Sequence, residues 1–258
     1  MTVLHIKDIK IPLKGILFDK DGTLVDFLYT WGHWVELILD QFSQGLQGRG
    51  LSPLDENVYA TMGVIYNRQQ GIIDYDRQGP LSVGSIHDLL TILAMHGYHE
   101  GLSWAQALLL AHQSQQVANE QLEQEQRVQA MPYLLPFIKQ CIHHDLKLAV
   151  VTADEQSAAK KHLQWLGWES YFTTIVGHDC VAKGKPFPDM IHLACQQLQL
   201  DPSEVVMLGD TNGDMLMGHS AGVQASIAIL TDKSLPLTNY SHANYIIHSY
   251  EEISLSSS

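Results

Sequence analysis

Three things are scarce in this chain of 258 residues, and each scarcity removes a class of protein. Cysteine occurs only at Cys141, Cys180 and Cys195, an odd number without metal-ligand spacing, which argues against a disulfide framework or a zinc site and for reduced structural thiols. Basic residues number 15 against 28 acidic ones, so the net charge is -13 and no broad cationic face for nucleic acid or anionic lipid is expected. Long apolar runs are missing too: none approaches the roughly 18 residues of a membrane span. The stretch 1–17 mixes Lys and Asp with apolar residues and shows no secretory leader. The expectation is a cytoplasmic protein, monomer or homodimer, that binds neither nucleic acid nor membrane.

What is present is a globular composition, 45% hydrophobic and 17% charged, in a chain long enough for one large domain or two ordinary ones. The apolar run Gly15-Ile16-Leu17-Phe18 ends abruptly in Asp19-Lys20-Asp21-Gly22 and reads as a buried strand delivering acidic groups to its carboxyl end. The pattern recurs at 146–151, which stops at Thr152-Ala153-Asp154, and at 205–208, which stops at Gly209-Asp210-Thr211-Asn212-Gly213-Asp214. Shorter strands are expected at 174–176, 225–230 and 245–247, with helices over 133–144, 156–166 and 189–198. Strands alternating with helices predict an α/β fold, a Rossmann-like parallel sheet covered on both faces. Ligands of such sheets bind beyond the carboxyl ends of the strands, where all three polar clusters fall.

The stretch from about 27 to 130 differs. It shows amphipathic helical patterns at 31–42, 58–66, 85–95 and 104–122, and no convincing buried strand. It is expected to be a helical insertion, giving a core of 1–26 with 131–258 and an inserted domain of 27–130. The Gln- and Glu-rich 113–129 reads as a solvated face, Trp31 and Trp34 as part of a buried stripe, 73–81 as a polar loop, and 254–258 as a frayed tail.

Four segments bear on chemistry: Asp19 and Asp21 in D-x-D-G-T, the strand-terminal Thr152, Lys185 within Lys183-Gly184-Lys185-Pro186, and Asp210 with Asp214. Clustered aspartates without a His or Cys ligand pattern suit a hard, oxygen-ligated divalent ion such as Mg2+ rather than Zn2+. In so acidic a chain, such an ion together with Lys185 is what lets a carboxylate approach a phosphate dianion.

In this order and spacing the segments resemble the haloacid dehalogenase superfamily of phosphohydrolases. The resemblance implies an Asp19 nucleophile forming an aspartyl-phosphate, and an Asp21 that protonates the leaving oxygen and then deprotonates water. It further implies phosphate binding by Thr152, the Ala153 and Asp154 amides and Lys185, and Mg2+ held by Asp19, Asp210, Asp214 and the backbone carbonyl of Asp21. An insertion after the first core strand is similar to the helical cap of phosphoglycolate phosphatases, which implies a small phosphorylated metabolite as substrate. Cap cations are few, Arg49, Arg68, Arg77 and Arg127, and Arg68 and Arg77 are the expected contacts to the leaving group. A phosphomutase similar to beta-phosphoglucomutase shares every core residue and is the alternative; a non-catalytic phosphate- or metal-binding module is the third reading.

Overall fold

The computed structural model describes residues 2–232 and 235–257. By compactness the chain divides into two units, 1–26 with 128–258 and 27–127.

In chain order, β1 (Thr2–Ile6), β2 (Ile9–Leu13) and β3 (Gly15–Phe18) come first. The intervening unit holds α1 (His33–Gln47), α2 (Asn57–Thr61), β4 (Val64–Asn67), β5 (Gly71–Tyr75), α3 (Pro80–Val83), α4 (Ile86–His99) and α5 (Trp104–Glu125). There follow α6 (Leu134–His143), β6 (Lys147–Val151), α7 (Gln156–Trp165), β7 (Thr174–Val176), α8 (Asp189–Leu198), β8 (Val205–Gly209), α9 (Asn212–Ala221), β9 (Ala225–Ile229), β10 (Tyr245–Ile247) and β11 (Ile253–Ser257).

The first unit is built on a six-stranded sheet in the order β10-β9-β8-β3-β6-β7, with every pair parallel. The expected α/β parallel sheet is what forms. Strand residues alternate between its two faces. Ile16 and Phe18 of β3, Leu148 and Val150 of β6, and Val206 and Leu208 of β8 join Phe137 and Ile138 of α6 and Leu163 of α7 in one core. Leu17, Ala149, Val151, Val205 and Met207 point the other way, onto Met190 and Ile191 of α8 and Met217 of α9. From β3 the chain proceeds outward through β6 and β7, then returns to β8 on the other side of β3. The central strand therefore borders the place where the strand order reverses, and a crevice opens there in sheets of this kind.

One reading of the termini needs correction, and one stretch holds structure that was not anticipated. Within 1–17, β1 and β2 pair antiparallel, with Leu4, Ile6, Ile11 and Leu13 buried in the first core. The tail does not fray over 254–257, because β11 pairs antiparallel with β1 and completes a three-stranded sheet, with Ile253 buried and Leu255 packed against the same core. Ser258 lies outside the described residues. Pro12 sits in β2, an edge strand, where its missing N–H breaks no ladder.

The second unit is mainly helical. Ser85 and Ser103 start α4 and α5 with capping boxes to Asp88 and Gln106. The unit's own core includes Trp34, Phe42, Leu93 and Leu110. Trp34 is buried and its Nε1–H donates to Asn119 Oδ1 at 2.7 Å; Trp31 packs edge-on against it. Along α5 the buried positions Ala107, Ser114, Ala118 and Leu122 leave most of the Gln and Glu residues exposed, with Gln115 and Gln121 half-buried, as a largely solvated face requires. The expectation of helix across 58–66 fails: α2 ends at Thr61, Gly63 takes φ +82°, and β4 pairs with β5 in a bulged antiparallel hairpin. The first residues of the expected loop 73–81 belong to β5. No described helix is long and apolar enough to cross a membrane.

Candidate active site

The three central strands end side by side, since Phe18 pairs with both Val150 and Leu208. Immediately beyond β3, Asp19 is buried, and its amide donates to the Leu208 carbonyl at 2.8 Å, which fixes where its carboxylate emerges. Beyond β8, Thr211 caps α9 in a capping box with Asp214: Asp214 Oδ2 accepts from the Thr211 amide at 3.1 Å and hydroxyl at 2.6 Å. That engages one oxygen of Asp214. The other lies 2.5 Å from Lys185 Nζ, and Lys185 also binds Asp19 Oδ1.

One carboxylate oxygen each from Asp19, Asp210 and Asp214 lie within 4.8 Å of one another. Asp210 Oδ1 is buried without a hydrogen-bond partner among the described residues. Two glycines permit this convergence. A Cβ on Gly22, which adopts φ +80°, would lie 2.1 Å from Asp210 Oδ2, and one on Gly209 would lie 2.4 Å from the Asp214 Cβ. The glycine of D-x-D-G-T is thus dictated twice, by its backbone conformation and by the carboxylate packed against it.

Burial pushes the Asp19 carboxyl up to about 7; Lys185 opposes that shift and Asp214 adds to it. Burial also raises Asp210 well above the ordinary carboxylate value, and Asp19 and Asp214 reinforce it. Burial alone would lower Lys185, but Asp19 and Asp214 outweigh it and hold the ammonium above its usual value. Three carboxylates thus face one ammonium in a desolvated space with an unused oxygen. All the donors are hard oxygens, so the arrangement fits a small divalent cation of the Mg2+ class.

The other expected residues fall as follows. Thr152 is buried after β6, and its Oγ1 accepts the Asp154 amide at 3.1 Å, so that amide is engaged within its own loop. Ala153 is exposed beside it. Asp21 does not join the carboxylate trio; its two oxygens lie 2.9 and 2.8 Å from Lys20 Nζ. Lys183 is exposed, with its Nζ over the Phe187 ring. In the second unit Arg68 pairs with Glu56 at 2.7 Å, while Arg77 bonds Asp74 Oδ1 at 2.6 Å and the Tyr75 carbonyl at 2.7 Å.

Sequence reasoning passed over Lys20, His162 and Tyr250. Lys20 is fully buried, and the signal for it is parity, since it continues the i, i+2 series of Ile16 and Phe18 toward the first core. The Tyr250 hydroxyl donates to the Thr23 carbonyl at 2.9 Å and holds the D-x-D-G-T loop from behind. Nothing in the sequence signals that contact, which spans the length of the chain.

A family model for haloacid dehalogenase-like hydrolases matches residues 13–222, which includes every segment of this cluster. The chain belongs to that family. Among relatives within and around it, the pyrophosphatase PpaX of Oceanobacillus iheyensis is 26% identical over 131 residues, 51% of this chain and 61% of that protein. The phosphoglycolate phosphatase of Psychrobacter arcticus is 35% identical over 77 residues, 30% of this chain and 34% of that one. The matches thus span less than two thirds of these relatives. The crystal structure of beta-phosphoglucomutase from Clostridium difficile shares the fold, with a TM-score of 0.58 at 16% identity over 91% of this chain and 90% of that one.

Proposed function

We propose that this chain is a Mg2+-dependent phosphatase that hydrolyses a small phosphate monoester, with phosphoglycolate the leading candidate. The observation that carries the reading is the convergence of Asp19, Asp210 and Asp214 on one another, with Lys185 bridging two of them, at the carboxyl ends of the central strands. Membership of the family and the named phosphatases among its relatives support it.

In this reading Lys185 and Thr152 bind the phosphoryl oxygens and align phosphorus with Asp19. An Asp19 oxygen attacks phosphorus and the ester oxygen departs with a proton from Asp21, leaving an aspartyl-phosphate. Asp21 then removes a proton from water, whose oxygen attacks the same phosphorus and releases phosphate and free Asp19. Mg2+, held by Asp19, Asp210, Asp214 and the Asp21 carbonyl, would supply positive charge against the phosphoryl oxygens. Unit 27–127 serves as the cap, and Arg68 and Arg77 as its contacts to an anionic leaving group, exchanging their present carboxylate partners for that of the substrate.

The test is phosphate release from a panel of phosphorylated metabolites, with Mg2+ or with EDTA, for the wild type and Asp19→Asn. Release that requires Mg2+ and falls by roughly a thousandfold or more in the variant is expected. Turnover that persists in the variant removes Asp19 as nucleophile. Absence of release from every ester sinks the phosphatase reading.

A further inference from the structure

The proposed reaction leaves a second buried lysine unaccounted for. Lys20 is 0% exposed, and its ammonium stands 2.9 and 2.8 Å from the Asp21 oxygens, 3.2 Å from Asp154 Oδ2 and 3.0 Å from His162 Nδ1. These partners come from three segments: the D-x-D-G-T loop, the loop that follows β6, and α7. An ammonium is a donor only, and here it stands against two carboxylates and an imidazole, with hydrogen bonds to Asp21 and His162 and an ion pair to Asp154. His162 can accept because it is neutral: burial first, and Lys20 second, push its pKa down to about 4.

An ammonium this deep costs several kcal/mol in lost hydration, and apolar side chains of similar volume commonly serve the fold as well or better. Stability therefore does not explain it. Placement does: a carboxylate whose two oxygens are both held cannot swing freely, and proton transfer demands a heavy-atom reach of about 2.6–3.2 Å. Asp154 Oδ2, 3.2 Å from the same ammonium, helps hold it in place.

We propose that Lys20 is a positioning residue for Asp21, its ammonium holding that carboxylate in place while Asp154 and His162 hold the ammonium. The inference rests on Asp21 acting as the proton donor to the leaving group.

Two aryl esters of nearly equal shape test it. p-Nitrophenolate departs with little help, whereas phenolate, whose conjugate acid resembles tyrosine with a pKa of about 10, gains much more from a proton donor. kcat/KM covers the steps through departure of the phenol, so it reads that help directly. Lys20→Met, Lys20→Gln, Asp21→Asn and Lys20→Met/Asp21→Asn are compared with the wild type on both esters, with Mg2+ present. Lys20→Met is expected to lower kcat/KM for phenyl phosphate about tenfold more than for p-nitrophenyl phosphate, a share of the 10²–10⁴ that acid–base catalysis contributes. Lys20→Gln, neutral but still a hydrogen-bond donor, recovers part of the loss and is the working variant should the methionine form not fold. The double variant is expected to be no worse on phenyl phosphate than Asp21→Asn alone.

Equal losses on the two esters in the Lys20 variants, with Asp21→Asn discriminating between them, overturn the role of Lys20 and leave that of Asp21 standing. If Asp21→Asn itself does not discriminate, its acid role falls, and the positioning role of Lys20 falls with it.

Discussion

Two lysines of one catalytic unit sit among aspartates a few residues apart, and their surroundings differ in kind. Around Lys20 the polar atoms close on one another: one ammonium, two carboxylates and a neutral imidazole. Around Lys185 there is a third carboxylate: Asp210 Oδ1 is buried with no hydrogen bond among the described residues, as is Asp154 Oδ2, but Asp154 has the Lys20 ammonium at 3.2 Å. Desolvation is expensive for both sets. The first meets that cost with internal partners, which makes it a fixed support. The second leaves negative charge in excess, which in the proposed reading suits it to receive a cation and, through it, a phosphate. Of the two clusters, the one with carboxylates in excess is the one to which the proposed chemistry is assigned.

The sharpest way to break this contrast is to remove the second lysine. Lys185→Met is expected to lower turnover by about 10²–10³-fold, the range for removing one charge-stabilising donor from an active site. Because Lys185 is assigned to the phosphoryl group rather than to the leaving oxygen, its loss should affect phenyl and p-nitrophenyl phosphate equally, unlike that of Lys20. A strong leaving-group preference in Lys185→Met would erase the distinction between the clusters.

A smaller effect separates the clusters without any turnover. Mg2+ should raise the melting temperature of the wild type, with about 2.7 kcal/mol of stabilisation at a hundredfold excess over Kd. Asp210→Asn should abolish the shift and Asp154→Asn should retain it. A thermal scan in which Asp154→Asn loses the Mg2+ response, or Asp210→Asn keeps it, would assign the cation to the wrong cluster.

How much of this was legible in the sequence depended on whether a residue's neighbours are close along the chain. β3, β6 and β8 are buried on both faces, so each appears as an apolar run, and each stops at the polar residues it delivers. Asp19, Thr152, Asp210 and Asp214 were readable for that reason. The hairpin of β4 and β5 is half exposed and carries a bulge, so it shows neither an apolar run nor clean alternation: the helical pattern of 58–66 extends into β4, and β5 merges into the polar stretch 73–81. β11 was missed because its serines look like a tail. Its partner is β1, at the opposite end of the chain, and no local pattern reports that pairing. Lys20 lies between: its parity with Ile16 and Phe18 was visible, but the Asp154 and His162 that make a buried lysine tolerable become neighbours only through the sheet.

The smallest effect tests whether the open cluster really carries uncompensated charge when no metal is bound. The Asp19 carboxyl is raised to about 7, with burial the main cause, against an ordinary value near 3.8. A folded pKa above the unfolded one means that the native state holds the proton more tightly, so the contribution is complete below about 4 and is lost as pH rises through about 7. Asp19→Asn, which stays neutral at every pH, escapes that loss. In EDTA the variant should therefore melt at the same temperature as the wild type near pH 4 and higher than it at pH 7. Asp210 is raised in the same direction and will leave part of the pH slope in the variant, so the informative quantity is the difference between the two melting curves. A difference that is zero at pH 7, or unchanged down to pH 4, would mean that Lys185 already balances the site, and the open cluster would be as closed as the one around Lys20.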